Sequence, residues 1–284
     1  MPLTKWPRPA LRHEVAEDGR VTWLELFFDL VYVAALIQLG DRLAGDITWS
    51  GVGGFAGVFV ILWWTWTGTT AFTNRFAVDD ITHRLLTFLQ MFAVGNLAII
   101  AATKPDDWQL WFVAAYIAAR LPLLAMYARA ARSNPASAPI AHYLLRVFGA
   151  SLAIWVVSLV VPGDARYWVW GLALAVELAA PARIGDRGDG APAHDEHFQE
   201  RYALFTIIVL GETFVKSLSA ITDRGISIET QVFGGVGFLV LIAVWWTYFD
   251  DVADAHIRST SALAPDRARN RLIWVYTHLP LTAG

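Results

Sequence analysis

Glu25 and Asp29 stand four residues apart in an otherwise apolar stretch, with Tyr32 on the same side, so a helix through them carries three polar tips on one face. Two carboxyls that close disfavour ionising together, and such a pair can hold or relay a proton. Glu25 suits the first turn of a helix, where an acid meets the positive end of the macrodipole; Asp29, about 9 Å into the helix, does not, and is expected to face a protein interior.

Three further charges lie deeper. Glu212, Glu177 and Arg120 fall about 10, 11 and 12 residues into their apolar stretches, near mid-membrane at about 1.5 Å per residue. A formal charge there costs roughly 2.5–3.5 kcal/mol, and the three together about 8–10 kcal/mol if unpaired. They must face a bundle interior or water, and pair. Glu212 and Lys216 are spaced i,i+4 for one pair, and Arg120 can meet Glu177, Glu25 or Asp29. Arg201, Ile208, Glu212 and Ser219 lie within about 20° of one helix line, so that helix carries a polar stripe. Pro122, two residues after Arg120, is expected to break the helix at mid-depth and free carbonyls, as discontinuous transporter helices do. A network of structural pairs, a solute or proton path, and an enzyme site all fit these residues.

Other polar groups gather at the ends of the apolar stretches. His194, His197 and Glu200 read His-x-x-His-x-x-Glu, and Asp250, Asp251, Asp254 and His256 crowd together. Neither has the His-Glu-x-x-His spacing of zinc hydrolases, so solvated interfacial side chains are expected and no metal is assigned. His197, Glu200, Asp250 and Asp251 remain the candidates for chemistry at the cytoplasmic face. The absence of cysteine removes disulfides, thiolate metal sites and cysteine nucleophiles. No nucleophile elbow, phosphate loop or dinucleotide fingerprint is present, so no cofactor is implied and no catalytic residue is assigned. A net charge of −3 without a basic stripe gives no reason to expect a nucleic-acid partner.

The elements that must position these residues are membrane helices. The 284 residues are 56% hydrophobic and 17% charged with mean hydropathy +0.45, against about 25% charged in soluble domains. Eight apolar blocks, 23–44, 52–72, 85–103, 108–129, 142–161, 166–183, 201–222 and 232–252, approach the roughly 20 residues that cross a bilayer. Without period-2 alternation they are helices, and the expected class is an all-α, polytopic transmembrane bundle. A ninth block begins near Arg271 with 13 residues left, about 20 Å of helix, so the chain is expected to be truncated inside it. Residues 1–22 are polar and form an N-terminal segment before a single membrane domain, 23–284; the acids in the first block argue against a cleavable signal peptide.

Fifteen lysines and arginines fall on the N-terminal side of the membrane and four on the other, which expects a cytoplasmic N-terminus in an inner or plasma membrane. Trp49, Trp108, Trp111 and Trp168 near span ends suit an interfacial belt. Trp63-Trp64-Thr65-Trp66 and Trp245-Trp246-Thr247-Tyr248 recur at an offset of 182, each after a glycine-rich span entrance, and Asp29 and Glu212 recur at 183. Six spans separate the copies, so a parallel repeat is expected, repeat one over 23–183 and a partial repeat two over 201–284. Trp63 and Trp245 are expected in equivalent buried positions.

Trp23-Leu24-Glu25-Leu26-Phe27-Phe28-Asp29-Leu30-Val31 and the stretch from Glu200-Arg201-Tyr202 to Leu210-Gly211-Glu212 resemble the two signature segments of the bacterial low temperature requirement A family. His278-Leu279-Pro280-Leu281 resembles a third segment, and the likeness runs from about residue 22 to the end. The resemblance implies a multi-span membrane protein of a family named for growth in the cold, whose members commonly run longer. Its signature positions fall here on Glu25, Asp29, His197, Glu200, Arg201, Glu212 and His278.

The function expected is that of a secondary-transporter-like protein for a small solute or ion, proton-coupled in its fuller form, with Asp29, Glu212 and Arg120 on the path. A membrane-embedded enzyme or lipid-handling protein at the cytoplasmic face is the alternative. The partners expected are the lipid bilayer, the solute or ion, and, as an option the sequence leaves open, copies of the same chain in a homo-oligomer. Orientation has a direct test in the cysteine-free chain. Single cysteines at Ala136 and Thr103 should react with an impermeant maleimide from opposite sides of intact cells, Thr103 from outside; outside labelling of both would overturn the charge argument.

Overall fold

The computed structural model describes residues 10–12, 21–45, 47–259 and 264–282. Nine α-helices run through them: α1 (Trp23–Gly45), α2 (Trp49–Arg75), α3 (Ile81–Thr103), α4 (Trp108–Ser133), α5 (Ala138–Val157), α6 (Ala165–Leu178), α7 (Asp195–Arg224), α8 (Ile228–Ser259) and α9 (Ala264–Thr282). A two-residue antiparallel bridge joins β1 (Ala10–Leu11) to β2 (Phe76–Ala77). Among the described residues, seven helical segments are long and apolar enough to cross a membrane. The chain is therefore an all-α, multi-pass membrane protein, because in hydrocarbon each backbone polar group must be satisfied within its own segment.

Local sequence sets the helix ends. Thr22 and Glu25 form a reciprocal capping box on α1: the Thr22 amide donates to Glu25 Oε2 at 2.8 Å and the Glu25 amide to Thr22 Oγ1 at 3.3 Å. Thr48 caps α2 by accepting from the Gly51 amide, and Asp80 caps α3 by accepting from the His83 amide. Lys104 ends α3 in the left-handed conformation (φ 43°), and Asp107 opens α4 in the same region (φ 54°). Two non-glycine residues there make the α3–α4 turn short and costly.

Two expectations need correction. The sixth block forms a helix of 14 residues, about 21 Å, short of a crossing. Pro181 lacks the N–H that would continue the ladder, so the chain tightens into 3-10 turns, with the Ala180 amide bonding the Glu177 carbonyl. Pro122, by contrast, does not break α4, which runs unbroken from Trp108 to Ser133. In an apolar surrounding one missing ladder bond costs less than ending the helix and exposing several carbonyls.

The chain forms two compact units, Met1–Phe198 and Gln199–Gly284. In the first, α3 packs between α1 and α4, α5 on α4, α6 on α5, and α2 on both α1 and α4. The α2 helix is the most enclosed, with 67% of its apolar window buried. Its glycine-rich beginning gives way to the wholly buried stretch Leu62–Thr70. Gly190 lies so close to the Ala136 carbonyl that a Cβ would overlap it, which fixes the segment before α7 against the α4–α5 turn. In the second unit, Phe214 of α7 packs on Phe238 of α8 at 5.3 Å. Windows of α7 and α8 are only 11% and 6% buried, so most of their apolar surface is left for hydrocarbon or other helices.

Arg129 of α4 clamps Asp80 with two bonds, 2.9 and 2.6 Å, and so pins the start of α3. Burial pushes the Asp80 carboxyl up, but the Arg129 guanidinium and the His83 amide outweigh it and hold the carboxyl below its ordinary range. The stabilisation is thus present above about pH 3.9, the unfolded value, and is lost as pH falls through the lower folded one. Asp80→Asn keeps a good cap but loses the charge. Its thermal midpoint in detergent should be lower than that of the parent at pH 7, and the gap should shrink toward pH 3; parallel profiles would remove Asp80 as the titrating group.

Candidate functional site

The α1 face carrying Glu25, Asp29 and Tyr32 turns inward, and all three are buried. Trp66 of α2 donates its indole N–H to Asp29 Oδ1 at 2.7 Å, both residues fully buried. Because an indole is a donor only, it fits a carboxylate acceptor without needing a proton on the acid. Around them α2 supplies five threonines between residues 65 and 73, all buried. Thr65 Oγ1 bonds back to the carbonyls of Ile61 and Leu62, while Thr69 exchanges hydrogen bonds with Gln90 of α3 at 3.0 and 2.8 Å. The Tyr32 hydroxyl sits against Thr65 and Gln90, within electrostatic reach of Asp29 and Arg120.

Deeper along α4, Arg120 pairs with Glu177 of α6, and neither side chain is exposed at all. The Tyr116 hydroxyl donates to Glu177 Oε1 at 2.8 Å and accepts from Arg120 Nε at 3.0 Å, closing a triangle. Of the partners open to Arg120 in the sequence, the structure chooses Glu177. The guanidinium also lies 5.2 Å from the Phe148 ring centroid. Its Nη1 has no hydrogen-bond partner among the described residues and presses on Gly68, where a Cβ would come within 2.9 Å. Any larger residue at 68 would displace the guanidinium or α2.

On the N-terminal side of the membrane, Glu25 gathers Arg12 at 3.8 Å and His197 at 3.3 Å. Asn74, at the end of α2, exchanges two bonds with the His194 backbone, 2.6 and 3.0 Å, which holds the start of α7 and thereby His197 in place. On the opposite side a cavity of about 520 Å³ opens among the ends of α1–α4 and α6. Its floor includes Ile61 and Phe112, one helical turn outward from Thr65 and Tyr116 respectively. Aromatic rings line its wall and continue inward: Phe112 stacks on Trp170 at 5.2 Å, and Trp155 meets Trp170 at 5.0 Å and Tyr116 at 4.6 Å, both tilted.

The first unit thus brings together Glu25, His197, Asp29, Arg120 and Glu177 in one stack of helices. The remaining candidates belong to the second unit. Arg201 is buried, Glu212 half-buried and Lys216 exposed on α7. The His278 ring lies by Trp274 and Tyr202, with Nε2 3.1 Å from the Tyr248 hydroxyl. Glu200 and Asp250 are exposed, and the side chain of Asp251 lies outside the described residues. Trp245 is 45% exposed where Trp63 is 1% exposed, so those two do not share a burial environment. Trp49, Trp111 and Trp168 stand exposed as a belt requires, whereas Trp108 packs against the cavity aromatics.

Reading for charge alone passed over Trp66, Tyr116, Gln90 and the α2 threonines. The signal was present as a density of hydroxyls within one apolar span. The Thr-x-x-Glu spacing of Thr22 and Glu25 likewise announced the capping box.

The family model described as bacterial low temperature requirement A protein matches residues 20–284. A protein of Rhizobium meliloti (strain 1021), described as uncharacterised, is 31% identical over 285 residues, covering 96% of this chain and 69% of the relative. No solved structure matches the chain.

The Arg120–Glu177 pair makes a sharp prediction. Arg120→Met leaves a carboxylate buried and alone and should destabilise the protein by about 3–5 kcal/mol in denaturant titration in detergent. The double variant Arg120→Met/Glu177→Gln should recover most of that loss; equal instability of single and double variants would show that the pair is not the unit that matters.

Proposed function

The chain belongs to the bacterial low temperature requirement A family, and we propose that it is a secondary-transporter-like protein moving a small solute or ion across the bacterial inner membrane, N-terminus cytoplasmic. One observation carries the reading: a column of buried polar groups runs through the first unit. It leads from Glu25–His197 past Asp29–Trp66, Tyr32 and the α2 threonines to Arg120–Glu177, below the floor of the opposite cavity. A scaffold needs its charges neutralised, and Arg120–Glu177 serves that need. It does not need a hydroxyl and a guanidinium nitrogen that meet no hydrogen-bond partner among the described residues, as at Thr70 and Arg120. Groups of that kind are where a passing solute or water is held.

Proton coupling draws on the same column, since a carboxylate and an imidazole in contact at Glu25–His197 stand one helical turn from Asp29. A parallel repeat is supported by Trp66 and Tyr248, which hold the same place in the two Trp-Trp-Thr-aromatic segments. Both are buried, and each sets its polar tip on a titratable partner, Asp29 and His278 respectively. The enzyme or lipid-handling reading gains nothing comparable, because His197 is engaged by Glu25 while Glu200 and Asp250 are exposed.

Reconstituted into pyranine-loaded liposomes, the chain should accelerate the entry of at least one of acetate, benzoate, phosphate, sodium or potassium over protein-free vesicles. An imposed pH gradient should change the rate, and Asp29→Asn should reduce it about tenfold while leaving the thermal midpoint within a few degrees. Rates equal to those of protein-free vesicles for all five, with and without the gradient, would leave the column a structural network.

A further inference from the structure

The cavity at the ends of α1–α4 and α6 has a chemistry of its own. Its charged lining residues are Arg42 and Lys104, both cationic. Arg42, in the last turn of α1, bonds the Ala102 carbonyl of α3, and Lys104 caps α3. Both positions also suit cations as partners of a helix C-terminus, which accounts for their sign. It does not account for lysine at a left-handed cap, the position where glycine is favoured. The short turn instead holds the Lys104 ammonium 5.5 Å over the Trp108 ring, at the cavity mouth.

One wall is aromatic: Trp108, Tyr167 and Trp170 meet with centroids 5.3–6.4 Å apart. The facing wall is the start of α2, where Gly53, Gly54 and Gly57 line the space and a Cβ on any of them would meet no neighbouring atom. Close helix packing does not explain those glycines, because no described residue is packed on them. They keep the cavity wide, and side chains there would narrow it.

We propose that this cavity binds an amphiphilic organic anion, its carboxylate or phosphate between Arg42 and Lys104 and its apolar or aromatic body between the Trp108–Tyr167–Trp170 rings and the glycine face of α2. About 520 Å³ fits a body of one or two rings or a short acyl chain. A free organic acid and an anionic lipid from the bilayer share this chemistry. As a statement of what is transported, the inference rests on the transport reading; as a binding site it stands alone, and its test reads binding only.

The cysteine-free chain permits a clean experiment. Gly54→Cys, in vesicles of phosphatidylcholine, is modified with an anionic reagent, 2-sulfonatoethyl methanethiosulfonate, and a cationic one, 2-(trimethylammonium)ethyl methanethiosulfonate, each rate normalised to that of free 2-mercaptoethanol. Two cations in a low-dielectric cleft should favour the anionic reagent about tenfold. The preference should collapse in 1 M salt and in an Arg42→Gln/Lys104→Gln background. Millimolar 1-naphthoate should slow modification, whereas acetate, lacking the body, should not. If the natural occupant is a lipid, adding phosphatidylglycerol to the vesicles should slow modification without naphthoate; a free acid as occupant leaves the rate unchanged by lipid but sensitive to naphthoate. Ser50→Cys, also on the lining, serves as the second reporter. The proposal is overturned if neither cysteine reacts, if the preference survives loss of both cations, or if neither naphthoate nor phosphatidylglycerol protects. Protection without any solute flux would sink transport and leave the binding site standing.

Discussion

A charge in the middle of a bilayer must be neutralised by the protein that carries it, and the first unit is built around that requirement. Arg120 and Glu177 meet in a region with no exposure, and Tyr116 binds both. The attraction is strong there because the surroundings are apolar, and for the same reason a lone member would be ruinous. The geometry of α2, α4, α5 and α6 follows. Gly68 lets the guanidinium lie against α2, Phe148 of α5 gives it a ring face, and α6 brings Glu177 in before Pro181 stops the regular ladder.

The second constraint is satisfaction of polar groups away from water. On α2, threonines return hydrogen bonds to their own helix or to Gln90, so the stretch is polar in composition yet largely closed in bonding. Trp66 does the same for Asp29. Against that background Arg120 Nη1 and Thr70 Oγ1, which meet no hydrogen-bond partner among the described residues, stand out, since such groups are few in folded proteins and each one costs about 1–3 kcal/mol. A cavity lined by cations and rings opens on one face of the same unit.

The two ends of the column differ in character. Toward the N-terminal side Glu25 is shared among a capping box, a guanidinium and an imidazole, so the carboxylate is tied to the geometry of α1 and α7 at once. Toward the other side the groups are cations and aromatics over open space. An acid and an imidazole thus lie at one end of the unit, and two cations with three rings at the other.

The amino-acid sequence by itself determined the helices, their caps and the identity of the charges at depth. Apolar runs of bilayer length admit one backbone solution, and Thr22, Thr48 and Asp80 mark their starts by local bonding alone. It also required that Arg120 find an acid. Which acid was decided only by tertiary structure, because Glu25, Asp29 and Glu177 are equivalent in type and separated from Arg120 by whole helices. The same holds for Trp66 on Asp29 and for the cavity, whose two cations and three rings come from three helices and a turn. Pro122 and Pro181 show the limit of local reading: both remove an N–H, yet the first sits inside an unbroken helix and the second ends regular α-structure. A missing hydrogen bond has a local cause, but its consequence depends on the packing around it, and that packing is set by residues far away in the chain.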